Sequence, residues 1–503
     1  MGPVRCTSKA ARILLISLIT MAAVIACRSE SRPPQSSAAS SHAGGFAATL
    51  RQRVTAEEMM VHLRSLQHIA DANDGNRASG TPGYQASVDY VAHVLQSKGF
   101  DVQTPQFELR LPFADAPAVT VGGANFAAKA LEYTIGTPPD GVTGPLVAAR
   151  VEDTPGCTAA DYDGLPAAGA VVLVDRGQCP FGSKQTAAAE RGAVALIVAN
   201  NVDGGEPGAT LGADTDVRIP VISVSKGDGA RMRAQPGVTT IKLNAGVRTQ
   251  TARNVIAQTK TGSTTDVVMV GAHLDSVPAG PGIDDDGSGV AAVLETALQL
   301  GSSPDVHNAV RFGFWGAEEL GLLGSANYIQ SLNADALKDI ALYLNFDMIA
   351  SPNPGYFTYD GDQSTPLDPQ QDPPRVPEGS AGIERTLVEL LKEAGKTAQD
   401  TSFDGRSDYE SFTRAGIPAG GVFTGAVTDM TEQQAKLWGG VAGQPFDPNY
   451  HQKTDTLDHI DQAALDVNGK AAAYSVGLYA QDLSGRNGVP VRSDRTRNVV
   501  TKP

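Results

Sequence analysis

From Arg253 onward the chain repeats one pattern. Short apolar runs alternate with stretches of helical periodicity, as in "DVVMVGAHLD", "SGVAAVLETALQLG", "AVRFGFWGAEE", "ALYLNFDM" and "AGIERTLVELLKEAG". Alternation of this kind predicts α/β layering around a mostly parallel sheet. Three of the runs stop at side chains able to bind a ligand: "VVMVGAH" leads to His273 and Asp275, "VRFGFWGAEE" to Glu318 and Glu319, and "ALYLNFD" to Asp347. Open α/β sheets collect ligands at the carboxyl ends of their strands, so these groups are expected to converge on one crevice.

The turn "GPGIDDDGSG" adds Asp284, Asp285 and Asp286 to that crevice. Five or more carboxylates at short range do not all stay ionised unless a cation neutralises them, and histidine with carboxylates is a donor set that suits zinc. If a second histidine joins His273, a pair of ions sharing one carboxylate fits better than one ion with surplus charge. Of the eight histidines, "DPNYHQKTDTLDHID" offers His451 and His459. His451 is preferred because it sits in a Pro-Asn-Tyr-His turn, although spacing alone leaves His459 open. An Asp-rich turn ahead of a helix is ordinarily an N-cap cluster, and an EF-hand is excluded because its aspartates alternate whereas these are contiguous. Two glutamates after an apolar strand have no comparable bland explanation, since buried charges are rarely left unpaired.

At 503 residues the chain exceeds a single typical core, and roughly two domains plus appendages are expected. Apolar spacings of three and four predict two amphipathic helices within 54–112, while short β-branched runs separated by Gly, Pro and Asp mark 113–246 as a separate small β-rich domain. The α/β region extends over 247–485, and the basic tail 486–503 is expected to be disordered. At the start, Arg5, Lys9 and Arg12 precede the apolar run "ILLISLITMAAVIAC", which is short for a membrane span and fits a signal peptide over 1–26. Val24-Ile25-Ala26-Cys27 resembles a bacterial lipobox, with Cys27 as the lipidated first residue; the bulk of Ile25 leaves ordinary secretion open. Residues 27–53 are rich in Ser, Pro and Ala and are expected to form a flexible tether. This organisation implies an extracytoplasmic protein, anchored at the cell envelope through lipid or secreted. In such a compartment Cys157 and Cys179 are expected to form a disulfide, the alternative being two buried thiols. A net charge of -15 argues against nucleic-acid binding, and a monomer is expected.

The blocks "GAHLDSV", "GPGIDDDGSG", "WGAEELGLLGS", "NFDMI", "SPNPGYF", "FDGRSDY" and "PNYHQ" resemble, in order, those of the secreted bacterial di-zinc aminopeptidases within the zinc-dependent exopeptidases. The stretch "GAVVLVDRGQCPFGSKQTAAAERGAVALIVAN" resembles a protease-associated (PA) domain, a non-catalytic insertion in relatives. The resemblance implies an α/β fold with a mixed, mostly parallel sheet between helices, and a peptidase domain split over 54–112 and 247–485 by the insertion. It also implies two zinc ions: His273 and Asp347 on one, Glu319 and His451 on the other, and Asp285 bridging them. Glu318 becomes the general base, Asp275 orients His273, Tyr450 donates to the developing oxyanion and Arg406 positions substrate. The implied activity is release of N-terminal residues, large and apolar ones in particular, from peptides.

The chain departs from the family pattern in three places. Asn449 and Thr454 stand where some relatives have a cysteine pair, the region around Asp466 and Lys470 matches poorly to a calcium site, and Asp284 stands where Asn is usual. Two other functions compete. A carboxypeptidase of the same superfamily would need clustered arginines, whereas Arg375, Arg385, Arg406 and Arg414 are scattered in sequence. A receptor-like module with a dead site is disfavoured because both Glu318 and Glu319 and the whole ligand set are retained.

Overall fold

The structure, a computed structural model, describes residues 37–150, 155–365, 376–484 and 488–500. The signal segment and Cys27 lie outside the described residues. The chain begins with three helices, α1 Ser37–Arg53, α2 Ala56–Asp71 and α3 Pro82–Ser97, followed by strands β1 Asp101–Gln103 and β2 Gln106–Ala114. A second unit contains β3 Ala118–Val121, β4 Ala124–Phe126, β5 Lys129–Ala130, β6 Val142–Ala148, β7 Val171–Asp175, α4 Phe181–Glu190, β8 Ala195–Ala199, β9 Val221–Val224, α5 Lys226–Ala234 and β10 Val238–Lys242. The chain returns through β11 Ala245–Arg253 to β12 Val255–Gln258, β13 Ser263–His273, α6 Gly289–Leu300, β14 Asn308–Trp315, α7 Leu323–Gln330, α8 Ala334–Asp339 and β15 Ile340–Phe346. It ends with β16 Phe357–Tyr359, α9 Ser380–Glu393, β17 Gln399–Thr401, α10 Tyr409–Arg414, β18 Ala419–Phe423, α11 Glu432–Trp438 and α12 Gln462–Gln481.

The main sheet has eight strands in the order β1-β12-β14-β13-β15-β18-β16-β17. Its centre, from β14 through β13 and β15 to β18, is parallel, and antiparallel pairings join β12 to β14 and β16 to β18. It is the mixed, mostly parallel sheet expected from the alternation of elements. Every residue of β15 is buried, as a strand covered by helices on both faces requires. Successive residues of β13 divide between two cores: Val268 and Val270 pack with α2, α6 and α12 on one face, while Met269 faces Tyr328, Tyr343 and Phe412 on the other. The helices are started by their own sequences. The Thr55 and Thr81 side chains accept backbone N–H bonds from Glu58 and Tyr84, and Pro82 opens α3 where its missing N–H costs nothing. Among the described residues no helix is long and apolar enough to cross a membrane.

The second sheet, ordered β4-β3-β10-β6-β7-β8-β9-β5, has a parallel centre over β6 to β9. Between the two sheets, β2 and β11 pair antiparallel along their whole lengths, from Gln106 opposite Arg253 to Ala114 opposite Ala245. Cys157 and Cys179 are joined by a disulfide with Cα atoms 5.9 Å apart.

Two expectations about the ends need correction. A structureless tether over 27–53 does not hold from Ser37, because α1 is helical and Ala43, Ala47 and Leu50 are buried. Their spacing of four and three lays one stripe against α12, where a Cβ on Gly477 would come within 2.9 Å of the Ala47 Cα. The stripe is mostly alanine, so its apolar contrast is low even though small residues permit this close packing. A disordered tail over 486–503 does not hold for its described residues 488–500 either. Arg495 is 2% exposed and donates to the carbonyls of Pro490, Thr265 and Lys338 and to Asp266. Arg497 donates to the carbonyls of Leu337, Gly416 and Ile340. Composition made these arginines look like solvated charge, whereas they satisfy carbonyls at the ends of the elements they cross.

Candidate metal centre

The carboxyl ends of β13, β14 and β15 bring His273, the segment after Trp315 and Asp347 to one edge of the main sheet. The turn 283–288 lies across that edge because Asp286 behaves as a cap. It accepts from the backbone N–H of His273 (2.9 Å), Gly289 (2.9 Å) and Met348 (3.2 Å). Asp284 turns the other way and accepts from Ala350 N and from the Ser351 hydroxyl. The Asp455 carboxylate accepts the N–H groups of Asp284 and Asp285 at 2.7 and 3.1 Å. With its neighbours occupied, Asp285 presents its own carboxylate to the cleft.

Asp285 stands between the two histidines. Its Oδ1 is 3.1 Å from His273 Nε2 and its Oδ2 is 3.2 Å from His451 Nε2. Asp347 Oδ1 lies 3.6 Å from His273 Nε2, and Glu319 Oε2 lies 2.9 Å from His451 Nε2. The donor atoms form two sets of three, His273/Asp285/Asp347 and Asp285/Glu319/His451, each set within 4.8 Å. Ligands at about 2.1 Å around a tetrahedral zinc ion stand roughly 3.4 Å apart, which the observed separations match. Glu319 Oε1 is buried without a hydrogen-bond partner, an atom for which a bound cation would account. The residues fit two ions sharing one carboxylate.

The electrostatics are those of a crowded acidic crevice. Burial opposes ionisation of Asp285, but the bonds and charges of His273 and His451 outweigh it and hold its pKa below the usual range. Burial would lower both histidines, yet the surrounding carboxylates win: His273 is held well above its ordinary value and His451 is pushed up to about 10. Burial and then Asp285 raise Glu319 to about 7, and burial raises Glu318 well above the carboxylate range. Each histidine Nε2 thus faces closely placed carboxylates.

The remaining residues singled out from sequence also lie here. Glu318 Oε2 is 3.9 Å from His273 Nε2. Asp275 faces His273 Nδ1 through its main-chain carbonyl at 3.1 Å, with its carboxylate farther away at 3.8 Å, and that carboxylate accepts the Glu318 N–H. The Tyr450 ring stacks on His451 with centroids 3.7 Å apart, and burial, then Asp285 and Glu319, raise its pKa. Tyr450 and Arg406 both line the cleft, a cavity of 210 Å³, together with the apolar Met348, Phe423, Ala426 and Val427. His459 is exposed and close to Thr456 instead.

Sequence reading missed the supports. The Ser407 hydroxyl donates to Asp347 Oδ2 at 2.6 Å and itself accepts from Asn345, whose amide oxygen accepts from Tyr343. Asp408 is 1% exposed, and burial pushes it up to about 7 against the pull of His273 and of the Ser325 hydroxyl. Both stand in "FDGRSDY", where a Ser-Asp pair just before the short helix Tyr409–Arg414 was the available signal.

The sequence pattern of Peptidase family M28 matches residues 254–476, and that of the PA domain matches residues 142–232. The chain is 68% identical over 461 residues, 92% of each protein, to the "Probable lipoprotein aminopeptidase LpqL" of Mycobacterium tuberculosis. It is 41% identical over 435 residues to an aminopeptidase of Pseudomonas aeruginosa, covering 83% of this chain and 80% of that one. Among solved structures, an aminopeptidase from Aneurinibacillus sp. strain AM-1 superposes with a TM-score of 0.66 at 28% identity, over 86% of this chain and 95% of that one. The zinc aminopeptidase BSAP of Bacillus subtilis superposes with a TM-score of 0.60 at 25% identity, over 86% and 97%. The chain belongs to peptidase family M28, among its zinc aminopeptidases that carry an inserted PA domain.

Proposed function

We propose that the protein is a two-zinc aminopeptidase that removes N-terminal residues, preferentially large apolar ones, from peptides. The observation that carries this reading is the pair of donor sets that share Asp285 and open on the same cleft as Glu318. His273 and Asp347 would hold one ion and Glu319 and His451 the other, with Asp285 shared between the two sets. When bound, the ions supply Lewis-acid polarisation of a water and of the scissile carbonyl. Glu318 takes the water's proton and returns it to the leaving amine. The Tyr450 hydroxyl donates to the oxygen on which negative charge develops, and Arg406 holds the peptide beyond the scissile bond. Asp275 fixes the ring of His273 through Nδ1, which leaves Nε2 for the ion. The acidic crevice accepts the substrate's free ammonium group, and Met348, Phe423 and Val427 offer apolar surface to its side chain.

Residues 113–246 are assigned to the PA insertion and 54–112 with 247–485 to the peptidase domain, to which α1 and residues 488–500 are added. Residues 1–26 are read as a signal peptide, with lipid on Cys27 and a cell-envelope location. The word lipoprotein in the name of the mycobacterial relative supports this assignment.

The test is metal content measured alongside activity on a panel of amino-acid amides and N-blocked peptides. Chelation is expected to abolish activity and zinc to restore it, with leucine-like amides preferred and blocked peptides refused. No more than one zinc per fully active chain would refute the paired site.

A further inference from the structure

Arg77, in the loop between α2 and α3, is 0% exposed. A guanidinium is always charged and is costly to bury unless its N–H groups find acceptors. Here Nε donates to the Pro281 carbonyl at 2.8 Å, while Nη1 and Nη2 donate to the carbonyls of Leu274 and Gly282, each at 2.5 Å. The Arg77 backbone N–H adds a bond to the Ser276 hydroxyl at 2.9 Å. The acceptors bracket one segment of chain. Leu274 follows His273, and Pro281 and Gly282 come just before Asp284 and Asp285. Gly282 has φ +63°, and a Cβ there would come within 2.4 Å of the Asp285 carbonyl oxygen and 3.2 Å of Arg77 Nη2, so glycine is what lets this carbonyl reach the guanidinium. One side chain therefore ties the exit of β13 to the entrance of the Asp-rich turn. Among the described residues it forms no ion pair, although Asp275, Asp455, Asp286 and Asp285 all lie near enough to act on it through space.

We propose that Arg77 is a positioning residue of the metal centre. It holds segment 274–282 so that His273 and Asp285 face one another before any ion arrives, and it supplies a fixed positive charge beneath the carboxylates. The proposal rests on the reading of His273 and Asp285 as ligands. Lysine at this position would keep the charge, but its single ammonium group lacks the planar fork that spans three carbonyls.

The experiment uses the full chain as wild type and as Arg77→Lys. Zinc affinity is read by competition with a fluorescent chelator, kcat and KM are read separately, and thermal melting is read with and without zinc. Zinc affinity is expected to fall about 10- to 100-fold in the variant, with kcat reduced and KM changed by less than roughly threefold. Wild-type zinc affinity in a folded Arg77→Lys protein would overturn the proposal, as would a lowered melting temperature of equal size with and without zinc and no other change. Hydrogen exchange on zinc-free wild type decides the matter if the variant fails to fold. Amides of 274–286 are expected to be protected as strongly as those of β13, and rapid exchange there would overturn the proposal. Undiminished zinc binding by His273→Ala would instead overturn the ligand reading beneath it.

Discussion

Glu318 and Glu319 are neighbours with the same side chain, yet they meet different partners. Glu319 Oε2 is 2.9 Å from His451 Nε2, whereas the nearest histidine contact of Glu318 is His273 Nε2 at 3.9 Å. Ala317, just before the pair, has φ +56°, and Met348 and His451 are also left-handed at φ +52° and +59°. Such conformations cost about 1 kcal/mol or more each outside glycine; Ala317 adjoins the proposed base, Met348 adjoins a proposed ligand and His451 is one. The pair can be separated by mutation. Glu318→Gln is expected to keep both zinc ions and substrate binding while kcat falls by roughly 10² to 10⁴. Glu319→Ala is expected to lose zinc as well as activity. Zinc content, KM and kcat measured together decide it, and near-normal turnover by Glu318→Gln would refute the assignment.

The helices differ in how plainly they could be read. α2 and α3 bury Met59, Leu63, Leu66, Val88, Val91 and Leu95, large residues whose spacing is visible without a fold. The buried stripe of α1 is Ala43, Ala47 and Leu50, and its helical state depends on α12 being there to receive it. Gly477→Leu should therefore dislodge α1 at a cost of about 1 to 3 kcal/mol. Differential scanning calorimetry and limited proteolysis within 41–53 would report it, and an unchanged melting temperature would count against this packing. Removing the disulfide by Cys157→Ser with Cys179→Ser opens a closure of 22 residues, worth about 3 kcal/mol in the chain-entropy account. The loss should appear in the PA unit's melting transition, with zinc content unchanged; loss of zinc would show a coupling between the units that this packing does not contain.

At the scale of the molecule, two sheets are joined by the β2–β11 ribbon. Phe113 pairs with Gly246 near the end of that ribbon, and no residue lining the cleft falls between them. Joining Phe113 to Gly246 through an Asn-Gly turn, which suits a two-residue hairpin, is expected to yield a folded peptidase with its full zinc content. Atomic absorption on the purified deletion protein measures this. A folded product with less zinc than the parent would mean that the insertion supports the metal centre directly.

Sequence alone determined the features whose physics is local or periodic. Alternating apolar runs required an α/β sheet, the ends of β13, β14 and β15 carried His273, Glu318, Glu319 and Asp347, and the texture of 113–246 marked a second unit. Large apolar spacings made α2 and α3 legible for the same reason. Tertiary structure decided whatever depends on partners distant in the chain. It set His451 rather than His459 beside Asp285 and Glu319, turned Asp285 into the cleft by occupying Asp284 and Asp286 elsewhere, and set Ser407 on Asp347. It also made a helix of an alanine-rich segment that composition reads as a tether, and buried Arg77 and Arg495 against main-chain carbonyls. A charged or small residue has no fixed preference for burial by itself; the acceptor or the groove that completes it belongs to another part of the chain, and only folding brings the two together.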